Sequence, residues 1–599
     1  MSPVEAAPRT GRRRAPPLGA ARALGVLAGV FAAACGARVP EYPLTEEARP
    51  LGSLSASASG EGRAAPAVAE GVTFERLLRA RDEPHNWLTY YGAYDGQRYS
   101  PLAQIQRGNV ARLRPAWTFQ FGQIGLAATP ATYAFEAAPI VVDGVMFVSG
   151  WDGYVWALDA ATGRELWRYK HEIPLDTPLC CGNVNRGVAV ARGRVFLATQ
   201  NGHLVALDAR SGRPVWQQAF ADVRAGESAT LAPLVVKDLV LVGSSGAEFG
   251  VRGHIDAFDV ESGRRAWRRY NVPAPGEPGS ETWPADGVAW ARGGGSAWIT
   301  GTYDPELDLV YWGTGNPSPD FDGAVREGAN LYTSSVVALD PDDGSLRWHY
   351  QWTPHDVWDY DGNNENILLD LDGRKLLAHF DKNGFLFVLD RRDGRLVRVA
   401  PFARATWGRI DASGAVHVAQ PPTEAGVEIC PGPAGAKEWT HAAYSPRTRL
   451  LYVPVIEACA TFRLERGEFR EGLPYWGGEA HVRGPHWGHV KAFDPATGRE
   501  AWSWRSEVPM VSSLLATAGD LVFAGAPTGE LHAFDARTGA VLWTYQTGSG
   551  LHGNPVSYAV GGRQYVAVPA GWGGWVEGFA PEMFGAPRGN ALIAFALPE

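Results

Sequence analysis

The stretch "HDVWDYDG", residues 355–362, sets Asp356, Asp359 and Asp361 among Trp358 and Tyr360. A solvated acidic turn has no use for two large rings, and a packed interior rejects three carboxylates unless something pairs with them. A bound cation reconciles the two. Asp356 reads as structural, capping a turn or binding a loop. Asp359 and Asp361 are two residues apart, so an extended segment would point both carboxylates to one side.

The five cysteines raise a second question. Cys35 lies in the N-terminal segment, Cys180 and Cys181 are adjacent, and Cys430 and Cys459 stand apart. An even remainder after export favours two disulfides. A Cys430–Cys459 bond would close a loop of ordinary size and contribute about 3 kcal/mol in the chain-entropy model. A Cys180–Cys181 bond would staple nothing, since adjacent Cα atoms sit about 3.8 Å apart, below the usual window of roughly 4.4–6.8 Å. Its use would be local, as a stiff and polarizable surface. Two buried thiols are the plainer reading.

Such groups need a scaffold. The 599 residues are 45% apolar and 20% charged, with 72 glycines and 23 tryptophans. Short β-branched or aromatic runs such as "PIVVDGVMFVSG" and "LVFAGAPTGELHAFD" are punctuated by Gly and Asp-Gly turns, an all-β signature. "ALDAATGRELW" at 157–167 recurs at 206–216, 257–267, 338–348, 492–502 and 533–543. A weaker copy starts at Val388, and "LRPAW" ending at Trp117 resembles the tail of one whose start has diverged. Eight such ends predict an eight-bladed β-propeller in which each tryptophan docks on the neighbouring repeat. The spacing is near one blade's length, except between Asp259 and Asp340 and between Asp390 and Asp494. Function belongs where the period breaks.

Residues 1–37 carry a basic flank and an apolar run too short to span a bilayer comfortably, which reads as a secretory signal. "AAAC" ending at Cys35 also resembles a lipoprotein cleavage box, so lipid anchoring through Cys35 is the second reading. Removing the signal takes five arginines and one glutamate with it and moves the formal charge from −9 to −13. An acidic exported protein argues against nucleic acid as a partner. Residues 38–75 read as a flexible linker and 76–599 as the propeller.

Taken in order, "CCGNVNRG" (180–187), the repeats, "GSSGAEFGVRG" (243–253), "YWGTGNPSPD" (311–320), "PHDVWDYDG" and "FDKNGF" (380–385) resemble the quinoprotein alcohol dehydrogenases. This is the methanol/ethanol dehydrogenase family that uses pyrroloquinoline quinone. The resemblance runs from Asn86 to the end. It implies a Cys180–Cys181 ring that sandwiches the quinone against Trp298. Arg186, Thr230, Ser245 and Lys382 would then meet the quinone's carboxylates and carbonyls, with Glu136, Gly246, Ala247 and Ser296 as further contacts. It also implies an ion held at strand ends by Glu248 and Asn316 and by Asp359, the catalytic base. Members of the family that use lanthanides carry aspartate at the position of Asp361, and those that use calcium carry a small residue there. A lanthanide is therefore the expected ion and Ca²⁺ the alternative, because attraction scales with the product of charges.

By the same resemblance a primary alcohol is oxidised to an aldehyde in the periplasm. No "CxxCH" haem attachment occurs, so a separate soluble cytochrome c would take the electrons. The preferred alcohol and the oligomeric state, a homodimer included, stay open. The rival readings are a noncatalytic envelope scaffold and a quinone-dependent sugar or aldose dehydrogenase. "DGNNEN" stands where "DGVNEN" is usual, the Val388 repeat lacks its tryptophan, and His481, His486 and His489 receive no role.

Overall fold

In the computed structural model, residues 71–121, 135–285, 287–578 and 583–599 are described. The signal, Cys35 and most of the linker lie outside them. Of the two units into which the chain divides, residues 65–599 form the one discussed below.

The β-branched runs become short antiparallel strands, because branched side chains suit a pleated, half-buried surface. Among the described residues they assemble into eight sheets of four or five strands and one two-stranded ribbon. One sheet shows the pattern: Ile140–Val142, Val145–Ser149, Tyr154–Asp159 and Glu165–Lys170 meander antiparallel, with the two inner strands almost wholly buried. The repeat motif is the last turn of this meander. Asp159 accepts the N–H groups of Ala161 and Thr162 and the Thr162 hydroxyl, each at 3.0 Å. Gly163 follows at φ +72°, which only glycine takes without strain.

Six repeat tryptophans, Trp117, Trp167, Trp216, Trp267, Trp348 and Trp502, each meet the glycine of the next repeat. A Cβ on Gly163 would lie 2.5 Å from the Trp117 ring, and Gly212 and Gly263 face Trp167 and Trp216 in the same way. The indole N–H then donates to the carbonyl just after the turn's aspartate, Trp117 to Ala160 at 3.1 Å and Trp167 to Ala209 at 3.0 Å. In the tryptophan-free repeat, Arg398 takes that place against Gly498.

The truncated repeat at Trp117 has an explanation the sequence did not offer. Its strand Arg114–Gln120 pairs with Asn590–Ala596 at the far end of the chain. The missing start has not diverged; it is supplied by the C-terminal strand. The boundary at residue 76 also moves. Val72 is fully buried, and the helix Phe74–Leu78, capped by Thr73, crosses that boundary.

Both long intervals carry extra structure. Between Asp259 and Asp340 the chain makes two short 3-10 turns, Ser280–Thr282 and Ala289–Arg292, before the strand Thr302–Asp304. Between Asp390 and Asp494 the strands Leu450–Leu464 and Gly478–Asp494 run far past their neighbours. Their connecting segment returns to the site described next.

Candidate functional site

The 355–362 segment is a loop and not the extended strand expected from the sequence. His355, Asp359 and Asp361 all have positive φ, at 53°, 64° and 56°. Asp356 is the reason. Fully buried, it accepts the N–H groups of Trp358 (2.9 Å), Tyr360 (2.8 Å) and Asp361 (3.0 Å) and the Ser334 hydroxyl (3.1 Å). Wrapping the backbone around one carboxylate forces the left-handed turns. Burial pushes the Asp356 carboxyl up to about 6, with Asp361 adding to the rise against the pull of the Trp358 N–H. Tyr360 and Trp358 pack beneath, their rings anchored to the carbonyls of Pro431 and Gln420.

Asp359 and Asp361 nevertheless reach one place. Lys382 Nζ lies 3.4 Å from Asp359 Oδ2 and 2.9 Å from Asp361 Oδ2. Asp361 Oδ1 also accepts the Asn316 backbone N–H at 3.1 Å and faces the Trp298 indole N–H at 3.5 Å. Burial and the neighbouring Asp361, Asp320 and Glu248 hold the Asp359 carboxyl well above its ordinary value, against the pull of Lys382. Burial opposes the Lys382 charge, but the two aspartates outweigh it and raise the ammonium. Lys382 is thus tied to the carboxylates. Asp359 keeps 26% of its side-chain surface exposed and Asp361 only 6%, so Asp359 is the more accessible of the two carboxylates.

Glu248 stands differently from the expectation. It sits inside the 3-10 turn Ala247–Phe249, between Gly246 and Gly250, both left-handed, and not at a strand end. Its carboxylate lies within 4.8 Å of the Cys180 and Cys181 sulfurs. Among the described residues, Glu248, Asp359 and Asp361 do not gather their oxygens within that same distance of one another. Like charges at close range need a cation among them, and Lys382 reaches only the two aspartates. Burial first, then Asp361, push the Glu248 carboxyl up to about 7. The segment joining the two long strands secures this turn. Tyr475 N–H donates to the Glu248 carbonyl at 2.6 Å, Phe469 and Tyr475 cover Gly250, and the Trp476 carbonyl accepts the Phe321 N–H at 2.8 Å.

The two disulfides are Cys180–Cys181 and Cys430–Cys459. Thr230 Oγ1 is 3.2 Å from Ser245 Oγ and donates to the Trp298 carbonyl at 3.2 Å. The buried Ser296 uses its carbonyl to accept the Gly315 N–H (2.6 Å) and Asn363 Nδ2 (3.1 Å). Arg186, 4% exposed, pairs with Glu136 at 2.9 Å, and its guanidinium lies 4.9 Å from the Trp298 ring and 4.6 Å from Trp439. Arg186 Nε and Nη1, Trp439 Nε1 and both ring nitrogens of His552 are buried with no hydrogen-bond partner. Burial pushes the Glu136 carboxyl up to about 7 despite Arg186. Orphaned cationic and N–H donors of this kind fit the rim of a flat polyanion, because buried donors carry a penalty until something accepts from them.

Several residues of this region escaped the sequence reading. Asp320, 4% exposed, accepts Asn316 Nδ2 at 2.9 Å. Its position four residues after Asn316 was the only signal. Glu438, His552 and Trp439 carried none. Glu365, in "DGNNEN", binds Lys437 Nζ at 2.8 Å and the Ala442 N–H at 2.7 Å. Two of the three histidines have local partners, His481 meeting Glu479 at 3.1 Å and His489 lying between Trp487 and Ser503, while His486 Nδ1 is buried without a hydrogen-bond partner among the described residues.

Comparison with known proteins gives one consistent result. Residues 87–400 match the family described as "Glucose/ethanol/alcohol dehydrogenase, beta-propeller domain". Residues 486–571 match "Outer membrane protein assembly factor BamB". The quinoprotein alcohol dehydrogenase PedH of Pseudomonas putida is 38% identical over 590 residues, 92% of this chain and 97% of its own. The lanthanide-dependent methanol dehydrogenase of Methylacidiphilum fumariolicum is 39% identical over 541 residues, 84% of this chain and 87% of its own. A solved structure, "Europium-containing methanol dehydrogenase", superposes with a TM-score of 0.82 at 36% identity and covers 87% of this chain and all of that one.

Proposed function

The chain belongs to the pyrroloquinoline-quinone-dependent alcohol dehydrogenases, and from that premise we propose that it oxidises primary alcohols to aldehydes with Asp359 as the base. The observation that carries this reading is the meeting of Asp359, Asp361, Asn316 and Lys382 around one point. The eight sheets are read as eight blades of one ring whose docking contacts are the tryptophan–glycine pairs, with the site near its axis.

In this reading Arg186 and the N–H donors around it bind the quinone's carboxylates, and the Cys180–Cys181 ring and Trp298 hold its faces. Glu248, Asn316, Asp359 and Asp361 hold the ion; all four offer oxygen, which suits a hard cation. When bound, the quinone accepts the hydride and the ion polarises the accepting carbonyl. The chain's own part is to position and to move a proton. Asp359, the more exposed carboxylate, takes the proton from the alcohol's hydroxyl. Asp356 fixes the loop that aims it, and Lys382 pairs with Asp361 beside it. The extra carboxylate of Asp361 favours a trivalent lanthanide over Ca²⁺. With the ion in place, Glu248 would supply its ligand oxygen from the Ala247–Phe249 turn.

The protein acts in the periplasm, delivered by the 1–37 signal, and passes electrons to a soluble cytochrome c. No described helix is long and apolar enough to cross a membrane. The test is Asp359→Asn. Assayed with enough added ion to keep the quinone and the metal loaded, the variant should lose alcohol-dependent dye reduction by about 10²- to 10⁴-fold. Full turnover in a variant that retains both would end the assignment of the base.

A further inference from the structure

Asn316 is held from two directions. Its backbone N–H donates to Asp361 Oδ1 at 3.1 Å, and its carboxamide Nδ2 donates to Asp320 Oδ1 at 2.9 Å. The carboxamide carries one nitrogen and one oxygen, so with its nitrogen turned to Asp320 it points Asn316 Oδ1 the other way, as a metal ligand requires.

Asp320 is itself fixed. The fully buried Arg326 donates to the Pro319 carbonyl at 3.0 and 2.9 Å, to the Asp320 carbonyl at 3.3 Å, to the Asp356 carbonyl at 2.6 Å and to Asn330 Oδ1 at 2.9 Å. One guanidinium thus ties the segment after Asn316 to the loop that carries Asp359 and Asp361. Among the described residues its hydrogen bonds go to those carbonyls and to Asn330, and none goes to the Asp320 carboxylate.

We infer that Asp320 is a positioning and charge-selecting residue of the ion site: it presents Asn316 as an oxygen donor and brings a further carboxylate next to the ligands, favouring a trivalent ion over a divalent one. The inference rests on Glu248, Asn316, Asp359 and Asp361 being the ligands. Removing a charge behind a ligand weakens both ions, but in proportion to their own charge, so the loss is steeper for the trivalent one.

The test is direct titration of the full-length, quinone-loaded protein with La³⁺ and, separately, with Ca²⁺, read by competition against a chelator of known affinity. Asp320→Asn should weaken La³⁺ by about thirtyfold and Ca²⁺ by about tenfold, while Asp320→Glu keeps the wild-type ratio. Circular dichroism checks the fold; if the Asn variant is unfolded, Asp320→Ser is read in the same way. Equal losses of the two ions, or none, in a protein whose wild type binds one ion per chain overturn the inference alone. A wild type that binds neither ion takes the ligand assignment down with it.

Discussion

Aspartate does opposite things in two regions of this molecule. In the repeat turns, Asp208 accepts the N–H groups of Arg210 and Ser211 and the Ser211 hydroxyl, and these bonds hold its carboxyl below the ordinary range. In the central cluster, Asp320 and Asp359 sit among other carboxylates, and burial holds both well above that range. The turn aspartates are satisfied where they stand. Those in the cluster are crowded without enough partners, an arrangement that stability alone does not favour and that a cation relieves.

The sharpest way to break this comparison is to remove one charge from each region. Asp359→Asn should lower turnover by about 10²- to 10⁴-fold, whereas Asp259→Asn, in a turn of the same design as that of Asp208, should leave it unchanged. Steady-state dye reduction on the two variants checks the contrast. Equal effects would mean that the cluster has no special chemistry.

The turn region was legible in the sequence because its rules are local. Asp, Ser or Thr, and Gly at fixed offsets specify a turn, and a tryptophan a few residues on finds the next turn's glycine by repetition. The pairing of Arg114–Gln120 with Asn590–Ala596 was not legible, because nothing local joins strands at opposite ends of a chain. Within the cluster, Asp359, Asp361 and Lys382 were named in advance, while the left-handed loop that carries the aspartates was missed. An alternating reading of "WDYDG" assumes a strand, and the buried Asp356 overrides that local preference by collecting three backbone donors. The stand-off position of Glu248 depends on electrostatics between segments far apart in sequence, which no motif encodes.

A third kind of buried charge sharpens the contrast, because here the partners suffice. Burial disfavours the Glu365 charge, but Lys437 and His441 outweigh it and hold the carboxyl at about 2. Its folded value lies below its ordinary 4.5, so its contribution to stability is complete above pH 4.5 and is lost as pH falls toward 2. Glu365→Gln leaves Lys437 buried without its counter-charge and should cost roughly 3–5 kcal/mol, read by denaturant unfolding at neutral pH. The wild type should also lose stability between pH 5 and 3 more steeply than the variant.

In the turn region the largest cost should come from the docking glycines. A Cβ at Gly212 would lie 2.5 Å from the Trp167 ring, at a φ of +70°. Gly212→Ala combines overpacking with left-handed strain and should cost about 1–3 kcal/mol, with alcohol oxidation unaltered at a temperature where the variant is folded. Thermal inactivation rates test this, since loosening one sheet-to-sheet contact speeds unfolding without reaching the cluster.

The smallest expected effect is that of a turn aspartate. Asp208→Ala removes the acceptor of two backbone N–H groups and one hydroxyl, all in reach of water. Solvent takes over those donors, so the loss should be about 1 kcal/mol. Because the folded carboxyl lies below its ordinary 3.8, that stabilisation is present above pH 3.8 and fades as pH falls through the folded value. The difference in stability between wild type and Asp208→Ala should therefore be constant from pH 5 to 8 and shrink below pH 3.8. A difference that grew on acidification would place Asp208 with the cluster carboxylates and erase the distinction between the two regions.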